Sequence, residues 1–438
     1  MTESSGRGSA RARRAIAELD QLINWERRKR SSAAAMRFSI EPARDLLRRL
    51  GDPHRRMRVV HVTGTKGKGS TASLIAGGLV RAGWCTALYT SPHVERLNER
   101  LRIDGDDVED EPLAEAIERT LAARQAALAD GGPAEDATWF DLVTAAAFLV
   151  AGEARAQWLV AEVGLGGRLD STNVVDPEVC VITQVELEHT AVLGSTRAAI
   201  AAEKAGILKR GATLVTTLAE TDEAGAVVAR VARELDVPIV RVAGGARSIL
   251  ARNLALAEEV LDALGRRGHL AVAGVPLTRH LLDEVVVAAA ALPGRLEVRE
   301  LDGVTVAIDG AHVPESVRDV LADLRSRRGL GGKAVVVLGM GRDKDLTGIL
   351  KALAPHAEKV VCTSVGTDLH YTPDEIAGEA QRLGMAAETA AEPMTALERA
   401  LALARVARTE FWVLVIGSLY LAGAVRPALV RVRPEHPC

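Results

Sequence analysis

Short apolar, β-branched runs alternate along this chain with longer stretches in which apolar residues recur every three or four positions. The runs Arg58–Val62, Thr86–Tyr89, Trp158–Val163, Val179–Thr183, Thr213–Thr217 and Ile239–Val242 predict strands. The stretches Ala15–Arg27, Glu41–Leu50, Ser70–Arg81, Glu111–Ala129, Thr138–Ala154 and Thr196–Leu208 predict helices. Strands and helices in alternation predict a doubly wound, mainly parallel sheet. Pro293-Gly294-Arg295 then interrupts the pattern, and a second α/β series begins. Its strands are Val304–Asp309, Ala334–Leu338, Lys359–Thr363 and Trp412–Ile416. Its helices lie near Pro314–Ser326 and Leu346–Leu353, with another starting at Asp374. A boundary near 295–302 divides the chain into a solvated tail over 1–16, a large domain over 17–296 and a smaller Rossmann-like domain over 297–438.

Composition supports this division. A chain of 438 residues exceeds one compact core. Aromatics are only 3%, so Ala, Val, Leu and Gly must fill the interior, as they do in parallel α/β sheets. The net charge of −3 gives no global field for nucleic acid. Cys85, Cys180, Cys362 and Cys438 form no CxxC pair, which suggests neither zinc nor redox chemistry and fits small buried residues in a reducing cytoplasm. The first 15 residues lack the apolar core of a secretory signal. The longest uncharged stretch, Phe411–Val425, is too short to span a membrane.

The clearest chemistry is the loop Gly64-Thr65-Lys66-Gly67-Lys68-Gly69-Ser70-Thr71, placed between a predicted strand and a predicted helix. Glycines let backbone N–H groups crowd around phosphate. Lys68 supplies a cation, and Ser70, backed by Thr71, offers a hydroxyl to Mg²⁺. The loop ends in Gly-Lys-Gly-Ser, with one glycine more than the usual spacing of a phosphate-binding loop.

His61–Thr71 resembles the signature of the folylpolyglutamate synthase and dihydrofolate synthase family, within the Mur ligase superfamily. Further stretches match in the family's order: Thr90-Ser91-Pro92-His93 with Asn98-Glu99-Arg100, Glu162–Asn173, Glu203–Ile207, Pro293–Arg295, Asp309–His312, Asp343–Asp345 and Gly417–Leu421. The likeness extends over about residues 17–427. It implies a Mur-type central domain followed by a glutamate-ligase domain. It also implies ATP, Mg²⁺ at two sites, a monomer, and small-molecule substrates (L-glutamate and a folate-like acid). The implied reaction is phosphorylation of a carboxylate by ATP, then attack of an amine on the acyl phosphate.

The resemblance also assigns residues. Glu162, at the end of an apolar strand, becomes a Mg²⁺ ligand, joined by Ser91 and by His189 of Leu187-Glu188-His189-Thr190; Ser70 serves the nucleotide's metal. Lys204, where a lysine at a helix start is ordinarily solvated, is implied to be carbamylated. Arg295 reaches the ATP phosphates when the domains close. Asp309, His312 and Asn253 contact the nucleotide. Lys344, Asp345 and Ser418 face the amino acid, Arg100 a substrate carboxylate, and Phe140 the pterin, while Asn173 shapes its loop.

This chain departs from the family pattern in places. Val313 replaces an Asn, Glu188 an Asp and Asp141 a Glu. The stretch from Lys204 to Asn253 is short, with Leu250 where a Gln is expected, and Thr363–Pro373 lacks a Pro-Arg pattern. These changes touch the adenine and acid sides more than the phosphate side. Two alternatives therefore stand beside glutamylation of a folate or dihydropteroate: a Mur-type ligase for another small acid, and an ATP-binding relative without catalysis.

Overall fold

The computed structural model describes residues 9–24, 39–243, 248–366, 369–406 and 411–430. Two compact units appear, one up to Ala246 and over Ala251–Ala290, the other comprising Arg247–Leu250 and the chain from Ala291.

The strands of the first unit are β1 (Arg58–Thr63), β2 (Thr86–Tyr89), β3 (Leu101–Ile103), β4 (Asp106–Asp107), β5 (Trp158–Glu162), β6 (Pro177–Ile182), β7 (Thr213–Thr216) and β8 (Ile239–Arg241). Its helices are α1 (Ala10–Leu19), α2 (Glu41–Arg49), α3 (Lys68–Arg81), α4 (Asp110–Asp130), α5 (Trp139–Glu153), α6 (Thr190–Leu193), α7 (Arg197–Ala205), α8 (Glu223–Glu234), α9 (Ile249–Arg266, from Ala251 onward in this unit) and α10 (Glu284–Ala289). The sheet order is β4-β3-β2-β5-β1-β6-β7-β8. All pairs are parallel except those made by β3 and β4.

Both faces of this sheet are covered, which is why its central strands read as unbroken apolar runs. Leu159 and Ala161 of β5 point into a core shared with α2, α4 and α5. Their neighbours Trp158 and Val160 point into the opposite core, with α3 and α9.

The second unit contains β9 (Glu297–Leu301), β10 (Val304–Ile308), β11 (Ala334–Leu338), β12 (Ala357–Cys362), β13 (Ala387–Thr389) and β14 (Trp412–Ile416). The order is β13-β12-β11-β14-β10-β9, parallel except for β9. Its helices are α11 (Pro314–Arg328), α12 (Leu346–Leu353), α13 (Pro373–Arg382), α14 (Pro393–Val406) and α15 (Leu419–Val430).

Three expectations change. The first helix starts at Ala10, where Ser9 caps it, and ends at Leu19. Of the tail expected over 1–16, residues 10–16 are therefore helical, while 1–8, like the Trp25–Arg27 end of the expected helix, lie outside the described residues. The boundary expected near 295–302 falls on β9, because the second unit already begins at Ala291. The antiparallel strands β3, β4 and β9 are not among those expected. Two of their three antiparallel pairs follow from Asp-Gly turns: Asp104-Gly105 (φ 53° and 96°) joins β3 to β4, and Asp302-Gly303 (φ 50° and 77°) joins β9 to β10. Left-handed backbone at both central positions is the hairpin signal that Asp-Gly carries.

Candidate active site

In an open parallel sheet, loops that bind ligands leave the carboxyl ends of the strands. In the first unit, β1, β2, β5 and β6 end in Gly64–Gly67, Thr90-Ser91, Glu162–Gly167 and Thr183–His189.

The phosphate loop is held from outside. Thr65 N–H donates to the Gln184 carbonyl at 2.8 Å, Glu186 N–H to Thr65 Oγ1 at 3.0 Å, and Thr183 Oγ1 to the Lys66 carbonyl at 2.6 Å. Gly64 has φ 149°, and a Cβ there would collide with Thr183 Oγ1. Gly67, at φ 79°, caps α3, and a Cβ on it would strike the Asn253 amide. Asn253 thus packs directly on the loop. Because α3 begins at Lys68, the additional Gly69 and Ser70 lie in its first turn, where free N–H groups and the helix dipole favour phosphate. Lys68 Nζ donates to the Thr65 carbonyl at 3.4 Å. The Thr71 hydroxyl is buried with no hydrogen-bond partner.

Glu162 ends β5, 4% exposed, and accepts the Ser91 N–H at 3.0 Å. Two expected metal ligands are thereby neighbours. His189 ends the loop after β6, in left-handed backbone (φ 48°). Among the described residues no group of three or more His, Cys, Asp or Glu side chains stands ready to hold an ion.

Lys204 corrects an expectation. It lies in the last turn of α7, not at its start, and its side chain is 2% exposed. Its Nζ donates to the Gly64 carbonyl at 2.9 Å and to Glu188 Oε1 at 3.1 Å. Burial pushes its pKa down to about 8; Glu188 opposes this and the nearby Lys68 adds to it. Burial also works against the charge of Glu188, but Lys68, Lys204 and His189 together hold its carboxyl below the usual range. Glu188 thereby links the loop lysine to the helix lysine.

Phe140, expected to line the pterin, lies beyond Glu162. The Phe140 ring covers Gly164, where a Cβ would meet it, and stands 6.4 Å from Tyr89. Asp141 caps α5 through Thr138 and accepts the Ser171 hydroxyl at 2.6 Å; burial raises its pKa. Arg100 was expected to meet a substrate carboxylate. It is 1% exposed, with its guanidinium 4.8 Å from the Trp139 ring and its Nε on His93 at 2.9 Å, the setting of a residue that braces its loop. Asn173 donates to the Arg168 and Gly206 carbonyls at 2.9 and 3.1 Å, the loop role assigned to it.

In the second unit, β10, β11 and β14 end at Asp309–His312, Gly339–Asp345 and Gly417-Ser418. Asp309 accepts N–H groups from Leu296 and Ala311 at 2.8 and 2.7 Å. Burial raises its pKa and the charge of Arg295 opposes that. His312 Nδ1 lies 2.9 Å from the Gly310 carbonyl, which only accepts, so Nδ1 carries the hydrogen. Burial, followed by the charges of Lys344 and Arg295, takes His312 down to about 4. Lys344 pairs with Asp343 at 3.2 Å. Asp345 caps α12 through Gly348 N–H at 2.8 Å, and Ser418 Oγ accepts the Tyr420 N–H at 3.1 Å, so both have backbone duties.

Sequence reasoning missed Thr183, the pairing of Glu188 with Lys204, and the buried ladder of His61, Thr172 and Asp170. No spacing signals them, since each contact joins residues more than ten positions apart, apart from the local Asp170–Thr172 step.

Two domain families match the chain: "Mur ligase middle domain" over residues 62–261 and "Mur ligase, glutamate ligase domain" over 294–419. It is 32% identical to the folylpolyglutamate synthase of Lacticaseibacillus casei over 88% of this chain and 93% of that one. It is 35% identical to a probable bifunctional folylpolyglutamate synthase/dihydropteroate synthase of Haloferax volcanii, over 90% of this chain but 49% of that protein, so it spans about half of that longer relative. A crystal structure of the bifunctional folylpolyglutamate synthase/dihydrofolate synthase of Yersinia pestis, with AMPPNP and Mn bound, superposes at a TM-score of 0.77 and 25% identity, covering 98% of this chain and 100% of that one.

Proposed function

The chain belongs to the folylpolyglutamate synthase/dihydrofolate synthase family of Mur ligases, and on that premise we propose that it joins L-glutamate to a folate or dihydropteroate carboxylate at the expense of ATP. The observation that carries this reading is one sheet edge that holds a glycine-cradled phosphate loop, Lys68, the Ser91–Glu162 pair and the Lys204–Glu188 pair.

A carboxylate is a weak electrophile, so the acid's oxygen first takes the γ-phosphoryl group and ADP leaves. The amine of glutamate then attacks the acyl carbon; phosphate departs with the C–O bond, and an amide remains. Backbone N–H groups of Gly64–Ser70 and the Lys68 ammonium bind the phosphates and balance charge as it shifts. The donors fit hard cations: a carboxylate oxygen of Glu162 with the Ser91 hydroxyl and His189 for one, and the Ser70 hydroxyl for the ion of the nucleotide. Mg²⁺ held by these residues would polarise phosphoryl oxygens. A carbamate on Lys204 supplies oxygen donors for a second such ion, and the depressed pKa of this amine supports that reading because CO₂ adds to the neutral form. Phe140 offers an aromatic ring to the pterin, with the buried Tyr89 6.4 Å behind it. Arg295, Asp309, His312 and Asn253 serve the nucleotide; Lys344 serves the amino acid. We assign a monomer, and a reducing compartment in keeping with the free thiols among the described residues, Cys85, Cys180 and Cys362. No helix among the described residues is long and apolar enough to cross a membrane.

A phosphate-release screen with L-glutamate and dihydropteroate, tetrahydrofolate or unrelated acids tests the assignment. Turnover with either pteroate is expected. Turnover only with another acid overturns the folate reading and supports the second one, which Asp141 and the altered Thr363–Pro373 segment motivate. Nucleotide binding without turnover under any acid overturns both.

A further inference from the structure

The middle of β1 holds a histidine that core packing does not require. His61 is fully buried between Val60 and Val62, and its Nε2 lies 2.9 Å from Thr172 Oγ1. Thr172 Oγ1 in turn lies 2.5 Å from Asp170 Oδ1. A carboxylate accepts, so the threonine hydrogen goes to Asp170, and the threonine oxygen takes its hydrogen from His61. The ring is therefore the Nε2–H tautomer. Asp170 also receives the N–H groups of Thr172 at 3.0 Å and Leu165 at 2.9 Å. Two residues along β1, Thr63 Oγ1 donates to the Gly166 carbonyl at 2.7 Å.

These bonds tie β1, immediately before the phosphate loop, to the glycine turn immediately after Glu162. Resting on the function proposed above, we infer that His61 is a positioning residue: through Thr172 and Asp170 it fixes the Leu165–Gly166 turn, and with it the Glu162 carboxylate, relative to the phosphate loop. The ring's second nitrogen supports this. Nδ1 is buried with no partner, an unsatisfied group that an apolar residue of similar size would not carry. Stability alone therefore does not call for a histidine here.

The test compares His61→Leu, which removes the donor, with His61→Gln, which keeps an N–H within reach. Binding of Mn²⁺ to the full chain with a nonhydrolysable ATP analogue is followed by electron paramagnetic resonance, and binding of the analogue without metal is measured alongside. His61→Leu is expected to bind Mn²⁺ about 10- to 100-fold more weakly, the range for residues that orient metal ligands, with metal-free nucleotide binding unchanged. His61→Gln is expected to recover most of that loss. Unchanged Mn²⁺ affinity in His61→Leu overturns the inference, as does equal loss in both variants. Should His61→Leu not fold, Thr172→Val against Thr172→Ser asks the same question, and the same outcomes decide it. No acid substrate is needed, so failure of the folate assignment in the turnover screen remains a separate result.

Discussion

The Nζ of Lys204 donates to the carbonyl oxygen of Gly64 at 2.9 Å, across 140 positions of sequence. The last turn of α7 is thereby fastened to the first glycine of the phosphate loop, and Glu188 closes the contact at 3.1 Å.

This contact makes the chemical state of Lys204 measurable. With a pKa near 8, a useful fraction of the amine is neutral at physiological pH and open to CO₂. Turnover should fall about tenfold in buffers stripped of CO₂ and return with bicarbonate, the scale on which a metal site loses function when its surroundings are altered. Protein equilibrated with ¹³CO₂ should show a carbamate carbonyl resonance that Lys204→Arg lacks. A spectrum without that signal, and turnover indifferent to CO₂, would mean that the lysine works unmodified.

Lys68→Ala should abolish ADP release with every acid, by at least about a thousandfold, as for other cations that balance phosphoryl charge. The side chain is half-buried and makes one long contact to the Thr65 carbonyl, so the thermal midpoint should hardly move. Residual turnover within tenfold of wild type would contradict its assignment.

Gly64→Ala places a Cβ against Thr183 Oγ1 in a backbone conformation that side chains rarely adopt. The strain is worth about 1–3 kcal/mol. Nucleotide affinity, read by isothermal titration, should fall accordingly. Gly64→Ala combined with Thr183→Ala should regain part of it, since the collision is with that hydroxyl; equal affinity in the single and double variants would refute the collision.

Two buried histidines predict acid sensitivity. His61 titrates near 3 and His312 near 4, both pushed down from 6.5 chiefly by burial. Above pH 6.5 neither state takes up a proton and they have no effect. As pH falls from 6.5 towards 3 or 4 the unfolded chain binds protons that the native state refuses, so stability drops by up to about 1.4 kcal/mol per pH unit for each. Asp170 and Asp309, raised by burial, act in the opposite direction at low pH, so the difference between wild type and His61→Leu isolates the histidine. That variant's thermal midpoint should decline less between pH 7 and 5.

Val313 begins α11 as its N-cap, with Pro314 behind it, and its side chain accepts nothing. Val313→Asn should supply the missing acceptor and raise stability by about 1 kcal/mol, seen as a higher unfolding midpoint. A lower midpoint would show that Val313 packs in a way worth more than a cap.

Much of this molecule was already legible in the chain. Period and composition yielded the two α/β series, because strands buried on both faces, such as β5 and β11, must be apolar throughout. Glycine spacing identified the phosphate loop, because positive φ at Gly64 and Gly67 is a local demand that glycine meets best. The antiparallel edges were encoded as well, in Asp104-Gly105 and Asp302-Gly303, where the turn dictates the strand pair.

Tertiary structure alone decided what the charged and polar residues became. Nothing near Lys204 in sequence says that it is buried; α7 packs that way only because its other face joins the core around β6 and β7. Arg100 reads as a free guanidinium until Trp139 and His93 enclose it. His61 looks like a strand residue out of pattern until Thr172, 111 positions away, meets its ring. The sequence determined which elements form, since that depends on neighbours along the chain. Which side chains meet, and what charge they then hold, depends on neighbours in space, and only packing the sheet provides those.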